Sequence, residues 1–398
     1  MQIGLVGKPS SGKSSFFSAA TLVDVAIASY PFTTIEPNKG IGFVRVSPCS
    51  CKDFNMQCNP RTGFCVNSKR FVPVEIIDVA GLVPDAHKGI GMGNQFLDDL
   101  RQADVLIHVV DASGSTNEKG ELVSAGTHDP CLDVEFLEKE IDLWFFSVIK
   151  RNWNKFCRSP FESKREMFEL MSQNFSGIGV SFKHLSVVFD SLSFSSKKLI
   201  EWTDEELMFF ARKLRVLSKP IVVAANKADL NGAKENIKKL QEKFPGLSIV
   251  PCSALAEFSL KKAAKQGLIE YFAGDSSFKE LTGLSPEQEK GLNYFNERVL
   301  SVFNSTGVQE VLEKAVFGVL GFIAIYPAGT KGLTDSEGRV LPDCFLMPPG
   351  STALDFAFKL HTDFGENFIA AINVKTRQQV SKDYVLKHRD AIEIRANK

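Results

Sequence analysis

The chain has no excess of charge of either sign: lysine plus arginine and aspartate plus glutamate number 47 each among 398 residues. A balanced chain has no global basic or acidic signature, so overall charge points neither to nucleic acid nor to a membrane surface. Long apolar runs are missing too. The longest, Ala315 to Tyr326, is too short to span a bilayer and contains Gly318 and Gly321. The N-terminus lacks a basic segment followed by an apolar one, so no secretory leader is expected. Internal repeats and low-complexity tracts are also absent. The expectation is a soluble, cytoplasmic chain with no membrane partner, long enough for two or three domains. Its eight cysteines, Cys49, Cys51, Cys58, Cys65, Cys131, Cys157, Cys252 and Cys344, are then expected as thiols.

What is present starts at the first residues, MQIGLVGKPSSGKSSFF. Gly7-Lys8-Pro9-Ser10-Ser11-Gly12-Lys13-Ser14 fits G-x-x-x-x-G-K-[ST] without mismatch. The apolar run Ile3–Val6 reads as a buried strand, and a helix is expected from Ser14 to Ala20. A strand feeding a glycine-rich turn and a helix N-terminus makes a nest of backbone N–H groups that suits phosphates. Lys13 would reach the β- and γ-phosphates and the Ser14 hydroxyl would bind Mg²⁺, with Ser15 completing the nucleotide site.

Three further motifs follow. Asp78-Val79-Ala80-Gly81 comes directly after the apolar run VEII. An acid at a strand end can hold Mg²⁺, and Gly81 can offer its N–H to a γ-phosphate. Asn226-Lys227-Ala228-Asp229 follows the apolar strand PIVVAA. N-K-x-D is the guanine-reading motif of G proteins. The Asp229 carboxylate would accept two hydrogen bonds from guanine N1–H and the 2-amino group, where adenine would leave it unpaired. Asn226 would brace the loops, and the Lys227 stem would lie along the base. Ser253-Ala254-Leu255, after the strand LSIVP, matches the loop whose backbone N–H meets guanine O6.

The order of these motifs is that of a Ras-type G domain. Short apolar runs at Ile3–Val6, Ile41–Val46, Val72–Ile77, Val105–Val110, Pro220–Ala225 and Leu247–Pro251 read as strands of a parallel sheet. Asp78 and Asn226 lie 148 positions apart, more than one strand–helix–strand unit requires. The amphipathic block from about Asp133 to Leu217 accounts for the excess as an insertion.

The chain resembles the Obg-related GTPases, most closely the YchF/Obg-like branch with a C-terminal TGS domain. The resemblance rests on Tyr30-Pro31-Phe32-Thr33-Thr34-Ile35-Glu36-Pro37-Asn38, on the glycine-rich segment Asp78–Asp104, and on the C-terminal block beginning LPDCFLMPPGSTALDFAF. It implies an α/β fold: a Ras-like P-loop GTPase domain with an inserted helical domain and a C-terminal β-grasp (TGS) domain. The expected divisions are 1–132, 133–217, 218–319 and 320–398. It also implies that Thr34 is the switch threonine closing on Mg²⁺ and the γ-phosphate, and that the partner is the ribosome, its RNA or its proteins. A monomer is expected. In the C-terminal block Thr352 caps a helix near Ala353–His361 with Asp355 as capping acid, and Tyr384–Leu386 and Ile392–Ile394 read as strands. This block is a binding surface or a purely structural one.

Several residues depart from the family pattern. The branch often has a degenerate base-reading motif and prefers ATP, whereas Asn226, Lys227 and Asp229 are intact, which favours GTP. Leu82 stands where Ras-like enzymes place a water-orienting glutamine, so intrinsic hydrolysis is expected to be slow. Ser10 stands where many relatives have an asparagine that helps bind an activating K⁺, so K⁺ dependence is open. His87 could position water, or be a solvated side chain of a glycine-rich loop. The expected activity is GTP hydrolysis. The alternatives are a nucleotide-dependent binding switch with negligible turnover, or an ATPase.

Cys49, Cys51, Cys58 and Cys65 form a dense cluster. Four thiolates could surround a structural Zn²⁺, although the spacing is not that of paired two-residue knuckles; otherwise they are reduced structural cysteines. Arg151, Lys155 and Arg158 run at helical spacing beside Trp153 and Phe156, with Lys164 and Arg165 following. Interleaved Glu138, Glu140, Glu162 and Glu166 favour a solvated face over an RNA-binding stripe.

Overall fold

A computed structural model describes residues 1–22, 38–79, 93–281 and 283–397. The chain forms two compact units, Met1–Ala19 with Ile76–Val311 and Ala20–Glu75 with Leu312–Lys398.

In the first unit, strands Gln2–Val6, Val105–Asp111, Ile221–Asn226 and Ser248–Pro251 pair in that order, all parallel. Leu5 sits opposite Ile107, Val109 opposite Ala224, and Ala224 opposite Val250. Val105–Asp111 and Ile221–Asn226 are buried along their whole length. Helices on both faces of a parallel sheet demand this, which is why these strands read as unbroken apolar runs. Their carboxyl ends bring Val6, Asp111 and Asn226 to one edge, the edge where open α/β sheets bind ligands.

The inserted block folds as helices Pro130–Arg158, Lys164–Phe175, Phe182–Ser191 and Asp204–Ser218. Each has a polar N-cap: Asp129 ahead of a first-turn proline, Ser163, Ser181, and Thr203 in a reciprocal box with Glu206. Their apolar faces build an aromatic core around Trp144, Trp153, Phe156, Phe175, Phe189, Trp202 and Phe210, continuous with the core under the sheet. Buried Arg215 ties the last helix to the first through Asp142 at 2.8 Å and Glu138 at 2.9 Å. Trp153 and Phe156 are core residues, whereas Arg151, Lys155 and Arg158 are exposed. The helix thus separates its aromatics from its cations and presents no interleaved stripe. Among the described residues, no helix is long and apolar enough to cross a membrane.

The second unit contains the strand Lys39–Val46, the hairpin of Phe64–Val66 with Lys69–Asp78, whose last residues enter the first unit, and a five-stranded sheet. That sheet runs Phe345–Met347, Ile323–Pro327, Ala391–Ala396, Phe368–Asn373, Gln378–Val380, with its second and third strands parallel and the other pairs antiparallel. Helix Ala353–Leu360 packs Phe356 against Ile325, Met347, Ala371 and Ile392. Thr352 and Asp355 form the reciprocal cap. One expectation fails: Tyr384–Leu386 is not a strand. Its backbone serves the helix start instead, with Ala353 N–H donating to Tyr384 O at 3.0 Å and Leu386 N–H to Ser351 O at 2.9 Å. Only Val385 bridges, to Thr352.

His108 lies inside the parallel sheet, opposite Val6 and Val223, at 2 % exposure. Burial, aided by the Lys8 charge, pushes it down to about 3 from 6.5. It is therefore neutral in the fold at neutral pH, while the unfolded chain takes up a proton below pH 6.5, so stability falls with acidification between those limits. Urea unfolding of the wild type should lose about 2 kcal/mol more between pH 7 and pH 5 than His108→Leu does. Equal losses in the two proteins would remove His108 from the account.

Candidate nucleotide site

The loop after the first strand turns sharply twice. Ser10 has φ +61° and Gly12 φ +92°, and helix Lys13–Thr21 starts directly afterwards. At Gly12 the left-handed backbone favours glycine. A side chain there would also collide, because a Cβ would lie 2.2 Å from the Asn226 Nδ2. Gly7, Lys8, Pro9, Ser10, Gly12, Lys13, Ser14 and Ser15 line a cavity of about 420 Å³ together with Lys227. Its wall is a helix N-terminus, where N–H groups and the helix dipole favour anions.

The side chains divide by task. Ser14 and Ser15 are exposed in the first helical turn, whereas Ser11 is buried. Lys13 pairs with Asp78 Oδ1 and donates to Val79 O at 2.8 Å. Lys8 points elsewhere: it is buried against Asp133 Oδ2 and Thr116 O, both at 2.8 Å. His128 Nε2 meets the other Asp133 oxygen at 2.8 Å. Lys8 thus contributes backbone to the cavity while its charge is neutralised by the first inserted helix.

The Asn226–Asp229 segment is joined to this loop through the Asn226 side chain. Asn226, 3 % exposed, donates from Nδ2 to Ser11 O at 3.0 Å and accepts at Oδ1 from Ala254 N–H at 3.0 Å. Asp229 Oδ1 accepts from Ser253 Oγ at 2.7 Å, and Tyr294 Oη donates to Asp229 O at 3.2 Å. Ser253 caps helix Ala254–Lys265, with Leu255 exposed in its first turn. Lys227, at φ +61°, donates to Asp111 Oδ2 at 2.8 Å. Asp111 is fully buried and also accepts from Ser113 N–H at 3.1 Å, Thr116 Oγ1 at 2.8 Å and Ser115 Oγ at 3.0 Å. Burial alone would raise its pKa. The Lys227 ammonium and the Ser113 and Thr116 hydroxyls outweigh that and hold it below the usual carboxylate value.

Sequence reasoning therefore named the residues that line the cavity and missed their supports: Asp111, Asp133, His128 and Tyr294. Asp111 carried a signal, since it ends the apolar run VLIHVV just as Asp78 ends VEII. Asp133 and His128 carried none, because their role depends on where the inserted helix docks. Thr34, Gly81, Leu82 and His87 lie outside the described residues. The oxygen donors of Ser14 and Asp78 suit Mg²⁺, a hard cation. Cys49, Cys51, Cys58 and Cys65 do converge, in the second unit, with their Sγ atoms all within 4.8 Å of one another.

Comparison with known proteins agrees with this geometry. Residues 2–135 match the family described as 50S ribosome-binding GTPase. Residues 224–329 match the Obg-like GTPase YGR210-like, G4 motif-containing domain, and residues 337–396 match the TGS domain. An uncharacterized GTP-binding protein of Methanocaldococcus jannaschii is 44% identical over 98% of both chains. The ribosome-binding ATPase YchF of Mycoplasma genitalium is 30% identical over 93% of this chain and 87% of its own. The crystal structure of a GTP binding protein from Pyrococcus horikoshii has 38% identity and a TM-score of 0.79, covering 100% of both chains. With the phosphate loop, the braced base loop and the C-terminal sheet in place, the chain belongs to the Obg-related, YchF-type GTPases that carry a TGS domain.

Proposed function

We propose that this chain binds GTP with Mg²⁺ and hydrolyses it slowly to GDP and phosphate, as a monomeric, cytoplasmic regulator acting at the ribosome. Asp229 supports guanine most directly. It is 6 % exposed, oriented through Oδ1 by Ser253, and among the described residues its Oδ2 has no partner. Two charged hydrogen bonds to guanine N1–H and the 2-amino group are at stake, each about 1.5–3 kcal/mol. The ribosome reading draws on the 50S-binding family description and on the name of the Mycoplasma relative.

In this reading the backbone N–H groups of the Gly7–Ser15 loop grip the phosphates. Lys13 leaves Asp78 and Val79 O for the β- and γ-phosphates. Ser14, Asp78 and Thr34 would hold Mg²⁺, which would supply charge neutralisation for the phosphates. Gly81 N–H would meet the γ-phosphate and His87 would position the attacking water. Water attacks the γ-phosphorus in line as the bond to the β-phosphate oxygen breaks. Leu82 offers water no hydrogen bond, which favours slow intrinsic turnover and gives weight to a second reading, a GTP-dependent binding switch. Single-turnover hydrolysis with and without ribosomes separates the two, and repeating it in K⁺ and in Na⁺ tests whether Ser10 supports a K⁺ site. We assign 1–132 and 218–319 to the G domain, 133–217 to the inserted helices and 320–398 to the TGS domain.

Lys13→Ala should lower hydrolysis at least a hundredfold and weaken GTP binding, with a cooperative circular-dichroism melt retained although shifted down by loss of the Asp78 pair. Wild-type turnover in this variant would refute the phosphate-loop reading. Wild-type protein should prefer GTP to ATP about a hundredfold or more, since the low end of two charged hydrogen bonds is about 3 kcal/mol. Asp229→Asn should lose GTP affinity and gain XTP affinity, because xanthine offers a carbonyl at position 2. Competition titrations with GTP, ATP and XTP read this out. Equal affinity of the wild type for ATP and GTP would overturn the guanine assignment.

A further inference from the structure

The second unit holds a cluster that the nucleotide site does not use. Cys49 and Cys51 flank Ser50 at the start of a short helical turn, Ser50–Phe54, Cys58 follows in the loop, and Cys65 sits in the strand Phe64–Val66. Cys49 Sγ and Cys58 Sγ lie 3.4 Å apart, Cys51 Sγ and Cys65 Sγ 3.9 Å, and all four sulfurs fall within 4.8 Å of one another. All four cysteines are free. Four sulfurs at the corners of a tetrahedron with metal–sulfur bonds of about 2.3 Å stand about 3.8 Å apart. These two separations bracket that spacing. Cys49, Cys51 and Cys58 are buried, so the cluster is closed to solvent on most sides.

A second, independent feature is a buried cation on the same hairpin. Arg70 is only 1 % exposed, and it stands directly across the hairpin from Cys65. Its guanidinium donates to Leu341 O at 3.1 Å and Pro342 O at 3.0 Å, its Nε has no partner, and no described carboxylate meets it. A buried cation satisfied only by neutral carbonyls is costly. Four neutral thiols would not compensate it, but four thiolates around a divalent metal carry a net charge of −2. The Cys49 thiol donates to the Tyr326 hydroxyl at 3.5 Å, and as a thiolate Cys49 would accept from that hydroxyl instead.

We propose that Cys49, Cys51, Cys58 and Cys65 bind one Zn²⁺ as a closed tetrathiolate, with Arg70 balancing its charge and Tyr326 orienting Cys49. Binding replaces four thiol protons by the metal and releases them to solvent. Four sulfur ligands leave no position for water or substrate, so the metal is structural. It locks the Cys49–Cys65 loop onto the C-terminal sheet, where Tyr326 lies in strand Ile323–Pro327, Ser50 Oγ donates to Arg389 O at 2.8 Å, and Asp53 pairs with Lys375 and Arg389.

The test uses the full-length protein purified without chelator. Metal analysis should give one zinc per chain, with the four cluster thiols protected from alkylation until zinc is removed. Exchange with Co²⁺ should give the intense visible bands of a tetrahedral cobalt thiolate. Cys65→Ser should lose stoichiometric zinc. If that variant does not fold, Tyr326→Phe, which keeps the ring, decides: zinc affinity measured by chelator competition should fall about tenfold or more. Protein that is folded, free of metal and alkylated at all four thiols overturns the proposal, as does protein holding only iron, or Tyr326→Phe with wild-type zinc affinity.

Discussion

The side-chain amide of Asn226 holds two loops at once. Its Nδ2 donates to Ser11 O in the phosphate loop and its Oδ1 accepts from Ala254 N–H at the start of helix Ala254–Lys265. The residue is buried at the carboxyl end of a central parallel strand, so its backbone is fixed by the sheet. One rigid amide therefore ties the Gly7–Ser15 loop to the segment that carries Asp229 and to the start of helix Ala254–Lys265. Gly12 is glycine for the same reason, since any Cβ there would lie 2.2 Å from Asn226 Nδ2. The left-handed turn at Gly12 and the amide contact are two parts of one packing solution.

Around that amide the charges are arranged in buried and half-buried pairs. Asp111 takes the Lys227 ammonium, Asp133 takes Lys8, and Asp78 takes Lys13. The first two are supports. Asp111 is enclosed by hydroxyls that fix its orientation, and Asp133 is held from the other side by His128. Removing one partner of such a buried pair leaves an uncompensated charge and costs about 3–5 kcal/mol. The third pair is more exposed, and it joins the lysine and the acid that both belong to the phosphate end of the site. In the proposed function a triphosphate would draw Lys13 from Asp78 while the other two pairs stay fixed.

Much of this was legible in the sequence because the informative residues sit at strand ends. An unbroken apolar run followed by a glycine-rich or Asn-Lys turn fixes strand, loop and chemistry together, as at Val6–Gly7 and Ala225–Asn226. The β-grasp helix was readable from the reciprocal cap of Thr352 and Asp355. The failures share one cause. Tyr384–Leu386 has strand-forming residues, but its backbone groups are used by the N-terminus of the helix at Ala353. Strand Phe368–Asn373 was not foreseen, and it owes its place to pairing with Ala391–Ala396. Lys8, Asp133 and Arg70 acquire their roles from long-range docking. Local patterns report what a segment prefers, not what arrives beside it.

The central claim is that one amide couples affinity to base choice, and the dissociation constants of GTP and ATP for wild type and Asn226→Ala test it directly. The variant leaves Ser11 O and Ala254 N–H without their partner, a loss of about 1–3 kcal/mol for each buried group. GTP affinity should fall more than tenfold, and the ratio of ATP to GTP dissociation constants should collapse toward one as Asp229 loses its register. A variant that binds both nucleotides more weakly while keeping the wild-type ratio would contradict the coupling, and unchanged affinity would contradict the brace itself.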